Sequence, residues 1–351
     1  MYLRKGSSIL SQLLMLALLC LAAPAAQTVA QSVPAGSRAT MLEQNIRAAL
    51  AKSSGIWGVS VRYIEGNQFV EVNADQRFPM ASVFKIPVLV ELYNQVHEGR
   101  ISLDERVEWL DPSLYFGSGI LVNLGPGLRP TVRDLATLMV IVSDNAATDL
   151  ICKRLGFDRI NARLHQLGID HTRVDVGTRD LILGALGIAG DQYRNLTVEE
   201  LRKLDRSKLG VQIKENQKRF LEQCLNCGTP REMTFLLEKL VNGGLADATA
   251  TREMLEILSN QQFNERLPRW LPYDIRIDHK TGTLLEPIWV VTDAGIVHLP
   301  ADKHIVISVF SRGTQMDLSS AETKAAISGA EERIAELGKL VFDYFTAVGM
   351  Q

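Results

Sequence analysis

Ser82-Val83-Phe84-Lys85 is the stretch on which the reading of this chain turns. A serine and a lysine three residues apart share one face of a helix. A serine hydroxyl is a weak nucleophile until a base takes its proton, and a lysine one turn away is placed to take it. A free lysine is protonated at neutral pH, so the pair works only if burial or a neighbouring cation lowers its pKa. Lys280 can be that neighbour. The helix start would also offer a favourable field to negative charge developing on an attacked carbonyl. Alone, Ser-x-x-Lys is a weak signal and reads equally well as a capped surface helix.

Two further words follow in order. Ser143-Asp144-Asn145 supplies a hydroxyl that can relay a proton to a leaving nitrogen and an amide that can hold a substrate carbonyl. All three residue types also make good helix N-caps. Lys280-Thr281-Gly282-Thr283 stands at the end of a predicted strand. A substrate can add to such an edge through main-chain hydrogen bonds. Lys280 and Thr281 would meet a carboxylate, and Gly282 lets the backbone approach closely. The N–H groups of Ser82 and Thr283 would form an oxyanion hole. By itself this word also fits an ordinary turn.

Around these words the pattern is strands at both ends and helices between. A helix is predicted over 38–52, with Leu42, Ile46 and Leu50 on one face. Strands follow over 56–64 and 68–73, joined by Glu65-Gly66-Asn67. From Ser82 to about Leu271 the periodicity is mainly helical, with Thr131 and Asp134 close to a capping box. Gly156 is a C-cap signal, and Thr229-Pro230 opens another helix. Pro87 removes one backbone hydrogen bond inside the helix that starts near Ser82. Strands return over 275–280, 288–298 and 305–311. A last amphipathic helix spans 321–345, with Ile327, Ile334, Leu337, Val341 and Tyr344 facing inward. The expected class is α+β: one sheet made from distant parts of the chain, with a helical domain inserted. The sheet part takes about 38–75 and 272–345, and the helical part about 76–271. Catalytic groups would meet between them.

The chain has 351 residues, 46% of them hydrophobic and 22% charged, a folded globular composition. With 38 basic and 40 acidic residues and no basic stripe, nucleic acid is not an expected partner. Arg4 and Lys5, the apolar run from Ile9 to Leu21 and Ala23-Pro24-Ala25 read as a cleaved signal peptide over 1–26. The run is short for a bilayer span. Export to a bacterial periplasm or beyond follows. Cys152 lies on an apolar helical stretch as a small hydrophobe. Cys224 and Cys227 form a lone C-x-x-C with no second pair to complete a zinc site, and read as a local disulfide or two inert thiols.

Taken together, the three words and their order resemble the class A β-lactamases and related penicillin-recognising serine acyltransferases, over about Leu42 to Phe345. The resemblance implies a β-lactamase/transpeptidase-like fold, with its antiparallel sheet flanked by N- and C-terminal helices. It also implies an acyl-Ser82 intermediate and a β-lactam or peptidoglycan-like substrate. No metal, no organic cofactor and a monomer are expected. One part departs from the pattern. The family carries a loop glutamate, in an E-x-x-L-N setting, that activates water for deacylation. After Asp170-His171-Thr172-Arg173-Val174-Asp175 this chain continues Val176-Gly177-Thr178-Arg179-Asp180. An extended, partly Gly-rich and then charged segment follows, over about 176–219. Only later does Glu222-Gln223-Cys224-Leu225-Asn226 spell the motif. Glu222 is thus a candidate deacylation base or a solvated surface glutamate, and a competing register puts Asn226 at the exit of the loop. His304 and Arg312 are candidate cations for a substrate carboxylate, or ordinary strand-end residues. With Glu222 in place the expected enzyme is a β-lactamase. Without it, the alternatives are a penicillin-binding D,D-peptidase or related serine hydrolase that turns β-lactams over slowly. A non-catalytic domain retaining the fold is a third reading, which the two lysines argue against.

Overall fold

Two hydrophobic stretches at opposite ends of the chain pair with each other, and this pairing organises the molecule. The computed structural model describes residues 35–349, apart from 110, 194, 206–208 and 317. The expected signal peptide over 1–26 lies outside the described residues. Helix α1 (Ala35–Leu50) leads into strands β1 (Ile56–Tyr63) and β2 (Gln68–Val72), then the two-residue strand β3 (Phe78–Pro79). The helices α2 (Lys85–His97), α3 (Val132–Ile141), α4 (Asn145–Leu155) and α5 (Phe157–Gln166) follow. Next come α6 (Thr178–Ala185), α7 (Val198–Lys203), α8 (Gly210–Gln223), the short strand β4 (Cys227–Gly228), α9 (Pro230–Val241) and α10 (Ala248–Ser259). Strands β5 (Ile277–Leu284), β6 (Val290–Leu299) and β7 (Lys303–Arg312) and helix α11 (Ser320–Gly349) complete the chain.

The five long strands form one antiparallel sheet in the order β2-β1-β7-β6-β5. β1 pairs with β7 from Ile56↔Arg312 to Tyr63↔Ile305. β5 is therefore the edge strand on the side of the third sequence word. Alternate residues of the central strands serve two cores, as the period of two requires. Val291, Ile305, Ile307 and Val309 pack under Leu42 and Ile46 of α1 and Ile334, Leu337 and Val341 of α11. Ala294, Ile296, Val306 and Phe310 face the helices, among them Met233, Leu236 and Leu237 of α9. Each of the Val, Ile, Leu, Met and Phe side chains among these contributes roughly 1.5–3 kcal/mol on burial. In the predicted stripe of α11, Ile327 and Tyr344 are half-buried and the other three are buried.

Four local expectations are refined. The Lys280-Thr281-Gly282 word lies inside β5, not at its end, because pairing with β6 continues to Leu284↔Val290. The α-helix after Ser82 begins only at Lys85, so Pro87 occupies its first turn, where proline is best tolerated. The lengthened, irregular segment over 176–219 folds into α6, α7 and most of α8. Its ends are held together by Asn226. The Asn226 side-chain carbonyl accepts from the N–H groups of Asp175 at 2.7 Å and Val176 at 3.0 Å, and its amide donates to Val176 O at 2.9 Å. Cys224 and Cys227 are joined in a disulfide beside this neck, while Cys152 is a buried free thiol whose pKa burial raises.

Candidate active site

The turn that carries Ser82 is built from backbone constraints. Pro79 pairs with Cys227, and the Met80 N–H donates to Asn226 O at 3.1 Å. Ala81 then adopts a left-handed φ of 45°, a strained conformation for a residue with a Cβ. One 3-10 turn, Ala81–Phe84, carries Ser82 before α2 begins. Lys85, at the head of α2, is fully buried. Its Nζ donates to Ser143 O at 2.8 Å, to Ser143 Oγ at 3.1 Å and to Asn145 Oδ1 at 3.0 Å. Burial lowers the Lys85 pKa to about 7, against the opposing pull of the Asp149 and Asp144 charges. The requirement imposed by the sequence, a lysine that can be neutral near pH 7, is met by desolvation first.

Ser143 sits in the break between α3 and α4, with φ 54°. Asp144 is the N-cap of α4 and accepts from Ala147 N at 2.9 Å. Its second oxygen accepts from Ile120 N at 2.6 Å and Leu121 N at 2.9 Å, tying down the loop that precedes α3. Asn145 donates from Nδ2 to Phe116 O at 3.2 Å. Gly117, at φ +96°, lies so close that a Cβ there would meet Asn145 Nδ2 at 2.3 Å. From the same loop Ser118 Oγ donates to Ser143 O at 2.7 Å. Ser118 carries no motif, and nothing in the sequence marks it as a neighbour of Ser143.

The third word meets the first across β5. A Cβ on Gly282 would lie 2.6 Å from Met80 O and 2.9 Å from Ser82 N, so only glycine fits. Thr292 of β6 donates to Met80 O at 2.9 Å and fixes the turn to the sheet. Lys280 is fully buried and donates to Thr281 O at 2.8 Å. Burial pushes its pKa well down, and repulsion from Lys85 adds to this. A substrate anion beside Lys280 would raise it again.

A cavity of about 550 Å³ reaches Ser82, Ser143, Asn145, Thr281, Thr283 and Arg266. Arg266 is the cation that the sequence did not single out. It is buried, and its Nη1 donates at 2.8 Å to both Gly282 O and Thr292 O. Its Nη2 donates to Thr283 Oγ1 and, at 2.9 Å, to Glu331. Neither Arg312 nor His304 lines this cavity; His304 Nδ1 instead sits 3.0 Å from Glu65 Oε1. Glu222 does not line it either. α8 buries Asn216 and Phe220, four residues apart on one face, and Glu222 falls on the exposed side.

The wall next to Asn145 is formed by the start of α6. Asp149 of α4 accepts from Thr178 N at 2.5 Å and Arg179 N at 3.0 Å, and Thr178 Oγ1 donates to Asn145 O at 3.1 Å. Burial raises the Asp149 pKa, opposed by these hydrogen bonds. Among the described residues, the carboxylates lining the cavity are Glu265, Glu286 and Glu331.

Comparison with known proteins gives the family and the fold. The model of the β-lactamase enzyme family matches residues 41–345. The β-lactamases CARB-3 and PSE-1 of Pseudomonas aeruginosa are 23% and 22% identical over 313 residues, covering 89% of this chain and 92% of theirs. Among solved structures, PBP-A superposes with a TM-score of 0.67 at 23% identity, over 88% of this chain and 97% of its own. A β-lactamase from Sphaerobacter thermophilus superposes at 0.66 with 25% identity, over 90% and 98%. The fold is β-lactamase/transpeptidase-like, and the chain belongs to the β-lactamase enzyme family.

Proposed function

We propose that the protein is an exported serine hydrolase that opens β-lactam rings through an acyl-Ser82 intermediate. The observation that carries this reading is the state of Lys85: fully buried, within 3.1 Å of the Ser143 hydroxyl, and with a pKa held near 7. Neutral Lys85 takes the Ser82 proton as Oγ attacks the β-lactam carbonyl carbon. The oxyanion is held by the N–H groups of Ser82 and Thr283. The ring C–N bond breaks, and the leaving nitrogen takes a proton from Ser143, which Lys85 replenishes. Thr281 and Arg266, which line the cavity, hold the substrate carboxylate, with Lys280 buried beside Thr281 behind that lining. Asn145 and the open edge of β5 hold its amide.

Release is the slow half of the reaction. Glu222 stands outside the cavity, and the α6 wall presents Thr178 and apolar side chains to the site. This favours the penicillin-binding alternative, in which the acyl-enzyme persists. A variant of PBP-A, a structural neighbour, is described as an acyl-enzyme complex with penicillin G. Intact mass spectrometry after mixing with penicillin G tests the reading. A long-lived adduct on the intact protein, absent from Ser82→Ala, is expected. Neither an adduct nor hydrolysed drug would exclude an acyl-serine enzyme.

A further inference from the structure

A second cavity, of about 690 Å³, lies between the β1–β2 hairpin and α9 and shares no lining residue with the catalytic cavity. Ser60, Arg62, Phe69 and Glu71 form its floor. They alternate with Val59, Val61, Val70 and Val72, which pack on the other face of the sheet. Arg231, Thr234, Phe235 and Glu238 form its wall, at spacings that put them on one side of α9. Two ion pairs cross from floor to wall. Arg62 Nε donates to Glu238 Oε1 at 3.0 Å, and Arg231 Nη1 lies 2.8 Å from Glu71 Oε2. The two ends of the groove differ in charge. At one, Arg62 and Lys239 stand against Glu238, and each cation lies over a ring, Phe69 at 4.0 Å and Phe235 at 4.6 Å. At the other, Glu71, Asp75 and Glu232 stand against Arg231, with the His171 ring 3.0 Å from Glu232. Each end also lacks a full partner. Arg62 is 9% exposed, yet its Nη1 is buried with no hydrogen-bond partner among the described residues. A buried donor left in that state costs free energy that a ligand acceptor would recover. Glu71 Oε1 accepts a long 3.4 Å bond from Ser60, and burial raises the Glu71 pKa against the pull of Arg231. A nearby ligand cation would offset that burial.

We propose that this groove binds a short zwitterionic peptide, with its carboxylate on Arg62, its ammonium at Glu71 and Asp75, and an apolar side chain between Phe69 and Phe235. The length fits. Arg62 pairs with Phe69 and Ser60 with Glu71, so Arg62 and Glu71 are diagonal neighbours, about 7–8 Å apart along the ladder. Two extended residues span roughly 7 Å. A ligand of one charge sign would meet repulsion at one end of the groove. The Phe69 ring, 52% exposed, covers the Arg62 guanidinium and turns aside to admit the carboxylate. This site is independent of the acyl-Ser82 reading.

The test is calorimetric titration of the parent protein with the dipeptide alanyl-phenylalanine, with its C-terminal amide and with its N-acetyl form. Capping either end should weaken binding about ten-fold or more. In Glu71→Gln most of the penalty for N-acetylation should vanish. Phe235→Ala, at a position 37% exposed and so open enough to spare the fold, should weaken alanyl-phenylalanine several-fold and leave alanyl-alanine unchanged. No binding of the free dipeptide at millimolar concentration, or equal binding of all three forms, would overturn the proposal. An N-acetyl penalty that survives Glu71→Gln intact would overturn it too, because the peptide would then sit elsewhere. None of these outcomes bears on whether penicillin G labels Ser82.

Discussion

The Lys85 ammonium nitrogen lies 3.1 Å from the Ser143 hydroxyl and 2.8 Å from the Ser143 carbonyl, although Lys85 opens α2 and Ser143 lies in the break between α3 and α4; both are buried. This contact joins the first and second sequence words into one hydrogen-bonded group. It also gives Lys85 three acceptors, counting Asn145 Oδ1, so the protonated amine is fully hydrogen-bonded and the neutral amine frees one lone pair.

Acylation should follow the titration of Lys85. Below about pH 7 the amine is protonated and cannot accept the Ser82 proton, so kcat/KM should fall on the acid side with a midpoint near 7. Lys85→Ala should lose roughly 10²–10⁴-fold in acylation and lose that acid limb. The same group bears on stability. Its folded pKa lies below the ordinary 10.5, so between about 7 and 10.5 the unfolded chain binds more protons than the native one. Its contribution to stability therefore rises with pH across that window. A pH series of denaturant melts on the parent and on Lys85→Met checks the sign.

Ser118 is a positioning residue. Ser118→Ala removes the 2.7 Å bond to Ser143 O and should cost about 1 kcal/mol of stability. It should lower the acylation rate and leave KM nearly unchanged, because Ser118 acts through Ser143. Ser118→Thr, which keeps the hydroxyl, should restore the rate. A loss of stability with no change in rate would make Ser118 merely structural.

Glu222→Gln is expected to leave both acylation and the lifetime of the adduct within about two-fold, since a surface substitution away from the site usually changes little. Stopped-flow acylation followed by timed mass spectra reads both steps. Selective lengthening of the adduct lifetime would make Glu222 the deacylation base after all.

Gly282→Ala should abolish most acylation. The new Cβ would meet Met80 O at 2.6 Å and Ser82 N at 2.9 Å, both backbone atoms, so the nucleophile turn must move. Overpacking of this kind costs about 1–3 kcal/mol. Thermal melts and penicillin labelling together separate the stability loss from the loss of reactivity.

Arg266→Leu removes the 2.8 Å guanidinium bonds to Gly282 O and Thr292 O, leaving Gly282 O the longer 3.3 Å bond from Thr292 Oγ1, and should destabilise by about 1–3 kcal/mol. It should raise KM for carboxylate-bearing penicillins more than for neutral p-nitrophenyl esters. Equal effects on both substrate types would assign Arg266 to the strand alone.

Much of this molecule was legible along the chain because its signals are local. Apolar runs rich in Val and Ile mark β6 and β7, N-cap residues mark the helices that follow Thr131 and Thr229, and Ser-x-x-Lys places two side chains on one helical face by spacing alone. The family resemblance gave the antiparallel sheet with helices inserted. Other features depend on where distant segments meet. Gly282 must be glycine because Met80 and Ser82 lie against it. Arg266 enters the site from the loop after α10, and Ser118 from the loop before α3. Glu222 shows the limit in the other direction. Its E-x-x-L-N string matches a motif, but helix phase turns it away from the buried face of α8. The sequence by itself determined which groups are present to attack a carbonyl. The tertiary structure decided which of them are dry enough to react, because desolvation and cross-chain contacts belong to the packed fold and not to any stretch of residues.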